Sequence, residues 1–208
     1  MLATCLPNLI TTGYAVLLFK KLRSELKIFA WFLFFSCATQ LTSTALWWFK
    51  KNNLPLLHVY VAGGFILLSW FYKIVLNDFI DKKVFQVVMV LFLIFTLINS
   101  LFIQDIFTFN SYALTIESVM VIIFSFSIFI LSKNELIKNT DQGKFKSINW
   151  INSGLFIYYS SSLLLFYFGN TMQSLSTSVN QYSWILLDFF SAIMYSCFFI
   201  GLWKRPRI

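Results

Sequence analysis

The chain has 208 residues, of which 59% are hydrophobic and 12% charged, with 26 Phe and a mean hydropathy of +0.76. A soluble domain of this size cannot hide so much apolar surface, which excludes the soluble classes. The net charge of +8 does not describe a nucleic-acid surface either, because the basic residues cluster in short connections between apolar runs, and that is a topology signal.

The first apolar run, 3–19, is short and carries Pro7, Asn8, Thr11 and Thr12 in its leading half. Pro near a helix start costs little, since its missing N–H would be unpaired there. The basic cluster Lys20, Lys21, Arg23 follows this run rather than preceding it, and no AxA-like site closes it. It therefore reads as a retained span, not a leader. The second run, 28–49, ends in Trp47 and Trp48, suited to a bilayer interface, and Lys50 and Lys51 mark water beyond it.

The third run, 54–76, opens after the cap candidates Asn52 and Asn53, has Pro55 in its first turn, and holds His58 and Gly63-Gly64. The fourth, 84–103, has Asn99 as its strongly polar interior residue and is closed by Gln104 and Asp105. The fifth, 109–131, is broken by one carboxylate, Glu117. A polar connection with four lysines, 132–147, reads as a solvated loop. The sixth run is 148–169, and an uncharged Ser/Thr/Asn-rich stretch, 170–180, separates it from the seventh, 181–203, which ends against Lys204, Arg205 and Arg207.

At about 1.5 Å rise per residue each run can cross roughly 30 Å of hydrocarbon, the first only just. The expected fold is all-α: a single polytopic domain over 1–208 with seven transmembrane helices. Fourteen of the sixteen Lys and Arg lie on one set of alternate connections, and Lys50 and Lys51 alone on the other. That split predicts an outside N-terminus and a cytoplasmic C-terminus. No internal repeat is visible, which demotes repeat-built transporters.

Polar residues inside these spans are the candidate site. Glu117 and Asp188 fall about eight and seven residues from the outer ends of their spans, hence at matching depths of roughly 10–12 Å. His58, Asn99 and Gln40 share the outer half, together with Asn8, Thr11, Thr12, Ser43 and Thr44. Helical spacing sets Asn110, Leu114 and Glu117 on one stripe, His58, Ala62, Phe65, Ser69 and Tyr72 on another, and Gln181, Trp184, Asp188, Ser191 and Tyr195 on a third.

Two readings stay open. In one, Glu117, Asp188, His58, Asn99 and Gln40 line an outward-facing cavity that recognises a small polar or cationic ligand. In the other, interhelical pairs such as Glu117 with Asn99 or Gln40 hold the bundle together and bind nothing. Two acids at one depth without a basic partner are not both expected to be charged, so a shared proton belongs to either reading.

Other chemistry finds little footing. A single histidine cannot build a multi-histidine zinc site, and Cys5, Cys37 and Cys197 have no metal-ligand spacing, so no metal and no cofactor is expected. Ser160-Ser161-Ser162 lacks a GxSxG context, and its small residues suit helix contacts, as do Gly63-Gly64. A retinal protein needs a lysine within the seventh span, and 181–203 has none. Asn77, Asp78 and Asp81 read as solvated turn residues.

Five stretches carry a resemblance: NNLPLLHVY opening the third span, LTIESVMVII in the fifth, NSGLFIYYSSSLLLF in the sixth, and WILLDFF with GLWK in the seventh. Together they resemble a group of small uncharacterised seven-helix integral membrane proteins of bacteria, over most of the chain from Asn52 onward. The resemblance implies a multi-pass fold in the bacterial inner membrane and no reaction. That group often has an acidic residue where Gly64 stands, in a pattern like HxYxxxEF, and HVYVAGGF lacks it.

The expected function is a receptor-like sensor or a transport-like protein with an outward polar cavity. The alternatives are an intramembrane lipid-active enzyme and a structural subunit of a membrane complex. Expected partners are the lipid bilayer, a small polar or cationic ligand from the outer side, and a cytoplasmic protein met by 132–147 and the C-terminal tail, with no nucleic acid.

Overall fold

A computed structural model describes residues 2–77, 79–133, 142–175 and 177–205, and every regular element among them is helical. Helix α1 (Leu2–Leu18) runs into a 3-10 turn at Phe19–Lys21, and α2 (Ser24–Trp48), α3 (Leu54–Val75) and α4 (Lys82–Ile98) follow. α4 widens into a π turn, Asn99–Ile103, before α5 (Ser111–Ser132), α6 (Gln142–Tyr167), the short α7 (Gly169–Leu175) and α8 (Thr177–Trp203).

The helix starts have local causes. Pro55 sits in the first turn of α3, and the Asn52 Oδ1 accepts from the Leu54 N–H at 2.9 Å. Asn53, expected as a cap, makes no capping bond; its Nδ2 instead donates to Ser43 Oγ at 2.7 Å, tying α3 to the end of α2. Asp81 caps α4 by accepting from the Lys83 N–H at 2.9 Å.

Among the described residues five helices are long and apolar enough to cross a membrane: Ser24–Trp48, Leu54–Val75, Lys82–Ile103, Ser111–Ser132 and Ser178–Trp203. α1 has 17 residues, and α6 has 26 diluted by Ser, Asn and Tyr. Both nonetheless pack as members of the bundle. Neighbours in space run α1, α2, α3, α5, α6, α8 and back to α1, a closed ring of six, with α4 laid against α3 from outside.

The outward faces are apolar. Leu17 and Phe102 are each 81% exposed, and α4 presents Val87, Leu91, Ile94 and Leu97. Bare surface of that extent suits lipid rather than water, which is compatible with an integral membrane protein. Several polar side chains turn inward instead, among them Asn8, Asn99, Asn110, Glu117 and Asn152.

The end of the bundle where α3 begins is here the upper end. The lower half of the ring is closed by aromatic packing: Phe29 meets Phe198 edge-on at 4.8 Å and Phe71 at 5.6 Å. A polar cluster sits within it, where the Tyr72 hydroxyl meets Ser125 Oγ at 2.8 Å and Asn152 Oδ1 at 3.1 Å. α6 and α8 touch most closely. A Cβ at Gly154 would lie 2.8 Å from the Cys197 Cβ and 3.0 Å from the Met194 carbonyl, so only glycine fits that crossing unchanged.

Two connections differ from the sequence expectation. Helix α6 begins at Gln142, within the stretch read as a solvated loop, because buried Ser147 bonds the Gly201 carbonyl at 2.7 Å and buried Ile148 joins the core. The Ser/Thr/Asn-rich stretch is also largely helical, anchored where Asn170 Nδ2 donates to the Phe109 carbonyl and Ser111 Oγ, each at 3.0 Å. Burial and specific partners outweigh polar composition in both places. Residues 134–141 of the expected cytoplasmic contact 132–147, the tail end 206–208 and Asp78 lie outside the described residues.

Candidate functional site

A partly open cavity of about 230 Å³ occupies the upper half of the ring. Ser36, Thr39, Gln40 and Ser43, at positions i, i+3, i+4 and i+7, supply its α2 wall. Trp184, Leu187, Asp188 and Ser191 repeat the same spacing on α8, and Tyr195 carries that face one turn further. Between them stand Tyr60 of α3 and Tyr158 of α6. One helical face from each neighbour thus converges on a common space, which is why polar residues far apart in sequence meet there.

The floor is a hydrogen bond. Ser36 Oγ and the Tyr195 hydroxyl lie 2.7 Å apart, and Tyr195 packs edge-on against Phe198 at 5.6 Å, leading directly into the aromatic lower core. The rim is tied by the Asn53 to Ser43 bond. Gln40, a predicted site residue, lines the cavity and turns its Nε2 to the Cys5 Sγ at 3.7 Å. Cys5, Cys37 and Cys197 are buried free thiols.

Asp188, the second predicted residue, is in the α8 wall and is engaged within the protein. Glu117, the first, is not among the lining residues. It is 1% exposed, one turn below the lining residue Leu114, and its Oε1 accepts from the Tyr159 hydroxyl at 3.0 Å. Its Oε2 has no hydrogen-bond partner among the described residues. Gly64 faces it: a Cβ there would stand in ordinary contact, 3.8 Å from Glu117 Oε1. Neither Asn99 nor Gln40 is the Glu117 partner.

His58 and Asn99 belong to a second cluster, at the top of α3, α4 and α5. His58 Nδ1 meets Ser100 Oγ at 2.7 Å and its Nε2 the Thr108 carbonyl at 3.3 Å. Fully buried Asn99 donates through Nδ2 to Gln104 Oε1 at 3.1 Å and Asn110 Oδ1 at 2.9 Å. Gln104 in turn donates to Ser111 Oγ at 2.8 Å and accepts from the Tyr112 N–H at 3.2 Å. The π turn supplies this cluster, since its extra residue per turn lets Asn99, Ser100 and Gln104 reach α3 and α5 together.

Sequence reasoning missed three contributors. Tyr158 and Tyr159 are not among the candidate residues, yet they stand at the level of the two acids: Tyr158 in the cavity wall, Tyr159 on Glu117. Counting from the start of α6 at Gln142 rather than 148 moves them toward the upper end. Ser36 had no signal beyond its spacing to Thr39 and Gln40. Outside this site, at the lower start of α2, Glu25 is a further buried carboxylate, 4% exposed and paired with Arg23 Nε at 3.5 Å.

Among the described residues no group of three His, Cys, Asp or Glu is placed to hold a metal ion. The arrangement can enclose a small molecule between a carboxylate, hydroxyls and aromatic rings. No protein-family model, curated protein or solved structure matches the chain.

Proposed function

We propose that the chain is a multi-pass membrane protein of seven spans, with its N-terminus outside and its C-terminus cytoplasmic, that binds a small molecule in a cavity facing the outer side. The observation that carries this reading is the upper cavity of about 230 Å³, walled by Asp188, Gln40 and polar faces of α2 and α8. Chains that need polar residues only for helix pairing have no reason to gather them around space. The seven-span count is supported by α1 and α6 packing within the ring alongside apolar neighbours. The orientation is supported by the distribution of Lys and Arg, and the bacterial inner membrane by the resemblance.

Of the two modes, receptor-like sensing is favoured over transport. Among the described residues the Ser36 to Tyr195 bond floors the cavity, and Phe29, Phe71 and Phe198 pack together below it. A cytoplasmic protein contacting 132–147 and the tail would receive the signal.

The test is native mass spectrometry of the full chain released from mild detergent, beside a Ser191→Trp variant that fills the cavity. A discrete mass carried by the wild type and lost in the folded variant is expected. A bare wild type after purification from several growth media would remove the ligand-binding reading. Labelling of Lys50→Cys but not Lys204→Cys from outside intact cells is expected for the orientation, and the reverse pattern would invert it.

A further inference from the structure

Charge is the first discriminator of what the cavity takes. Among the described residues that line it Asp188 is the one carboxylate, and no Lys, Arg or His lines it. Asp188 keeps contacts of its own within the protein, but a wall with a carboxylate and no basic group repels anions and attracts cations in a low-dielectric span. Counting from Ser178, Asp188 lies about 15 Å below the start of its membrane-capable segment.

Aromatic faces are the second. Tyr60, Tyr158 and Trp184 line the same space, and each is held by another ring. Phe35 stacks on Tyr60 at 6.1 Å and 6°, Tyr159 meets Tyr158 edge-on at 5.2 Å, and Phe109 meets Trp184 edge-on at 6.0 Å. Rings fixed before a ligand arrives lose little freedom on binding, and their negative faces attract an ammonium group.

Size is the third. A space of about 230 Å³ would hold about seven waters at their liquid share, below the volume of a drug-sized site. A hard divalent cation is the wrong occupant, because it demands several oxygen ligands at fixed distance and this wall offers one carboxylate in a much larger space.

We infer that the cavity takes a small organic cation, an ammonium on a short apolar body, with Asp188 as its counter-ion and Tyr60, Tyr158 and Trp184 as its walls. This inference rests on the ligand-binding reading above and names its ligand class. The ammonium comes either free from the outer medium or as a lipid headgroup.

The experiment is calorimetric titration of the full chain in phosphatidylglycerol nanodiscs with two cations, choline and phenethylamine, and their neutral counterparts, 3,3-dimethylbutan-1-ol and 2-phenylethanol. At least one cation should bind saturably, at least 10-fold tighter than its neutral counterpart, and at least 10-fold more weakly to Asp188→Asn. Asp188→Glu should bind within a few-fold of wild type, which keeps the test decisive if Asp188→Asn fails to fold. Repeating the titration in phosphatidylcholine nanodiscs separates the sources: weakened apparent affinity assigns the headgroup, unchanged affinity the free amine.

Neutral counterparts that bind as tightly as the cations, or a folded Asp188→Asn with undiminished affinity, overturn the cation inference. If neither cation binds while native mass spectrometry still finds a bound mass that Ser191→Trp loses, the cation inference alone falls.

Discussion

Two polar clusters lie side by side at the upper end of the bundle, and they are built differently. Around Asn99 the side chains bond directly to one another: Asn99 to Gln104 and Asn110, Gln104 to Ser111, His58 to Ser100. Around Asp188 a comparable set of polar side chains surrounds a space instead. The first arrangement spends its hydrogen-bonding capacity on holding α3, α4 and α5 together. The second keeps part of that capacity facing a space within the ring that can admit another molecule. Polarity within a span therefore does not identify a site; what distinguishes one is whether the polar groups close on each other or around a volume.

Substitutions can break or sharpen the contrast. The largest effect is expected where neither cluster lies but both cavity walls depend: Gly154→Leu forces α6 from α8, because backbone and a Cβ stand within 3.0 Å of any added carbon. A loss of about 3 kcal/mol or more is expected, with cavity and fold failing together. Near-normal thermal stability in detergent would show that the seam is looser than described.

Next, Asn99→Leu should cost about 1–3 kcal/mol, since it removes the donor for two buried acceptors. The folded fraction should bind cavity ligand as before. If ligand binding fell with it, the two clusters would be one coupled unit and the contrast would collapse.

Glu117→Ala strips the Tyr159 hydroxyl of its acceptor and should cost about 1–2 kcal/mol, whereas Glu117→Gln keeps an acceptor and should cost less than about 1 kcal/mol. Equal losses in a denaturation series would mean that the carboxyl group itself is required. Tyr195→Phe removes the floor bond to Ser36. An interhelical bond in a membrane is worth about 0.6–1.7 kcal/mol, so a small drop in stability is expected, and cavity affinity should change more than melting does.

The smallest effect is expected from Gly63→Ala. Its added carbon would meet the Phe35 Cζ at 2.5 Å, but that is the far end of a side chain that can swing. Less than about 1 kcal/mol is expected. Because Phe35 is stacked on Tyr60, a measurable shift in ligand affinity at unchanged stability would tie the ring wall to binding.

Much of the fold was legible from local pattern. Apolar runs of about twenty residues, interrupted by Lys and Arg, define helices whose lengths are dictated by the solvent they cross rather than by their neighbours. Pro55 in the first turn of α3 is equally local and stands where sequence placed a helix start, whereas Asp81, read as a solvated turn residue, is the cap of α4. The α8 stripe from Trp184 to Tyr195 was readable for the same reason: helical spacing needs no partner to be known.

What the sequence could not determine is which stripe meets which. Glu117, Asp188, Gln40, Asn99 and His58 all share the upper half, yet the tertiary structure assigns them to three surroundings: a buried pair with Tyr159, the cavity wall, and the π-turn network. Rotation of each helix about its axis, the order of the helices around the ring, and the π turn after Ile98 decide that assignment. These are set by side-chain packing between segments distant in the chain, where one position's shift turns a residue by about 100°, so composition and spacing alone carry no record of them.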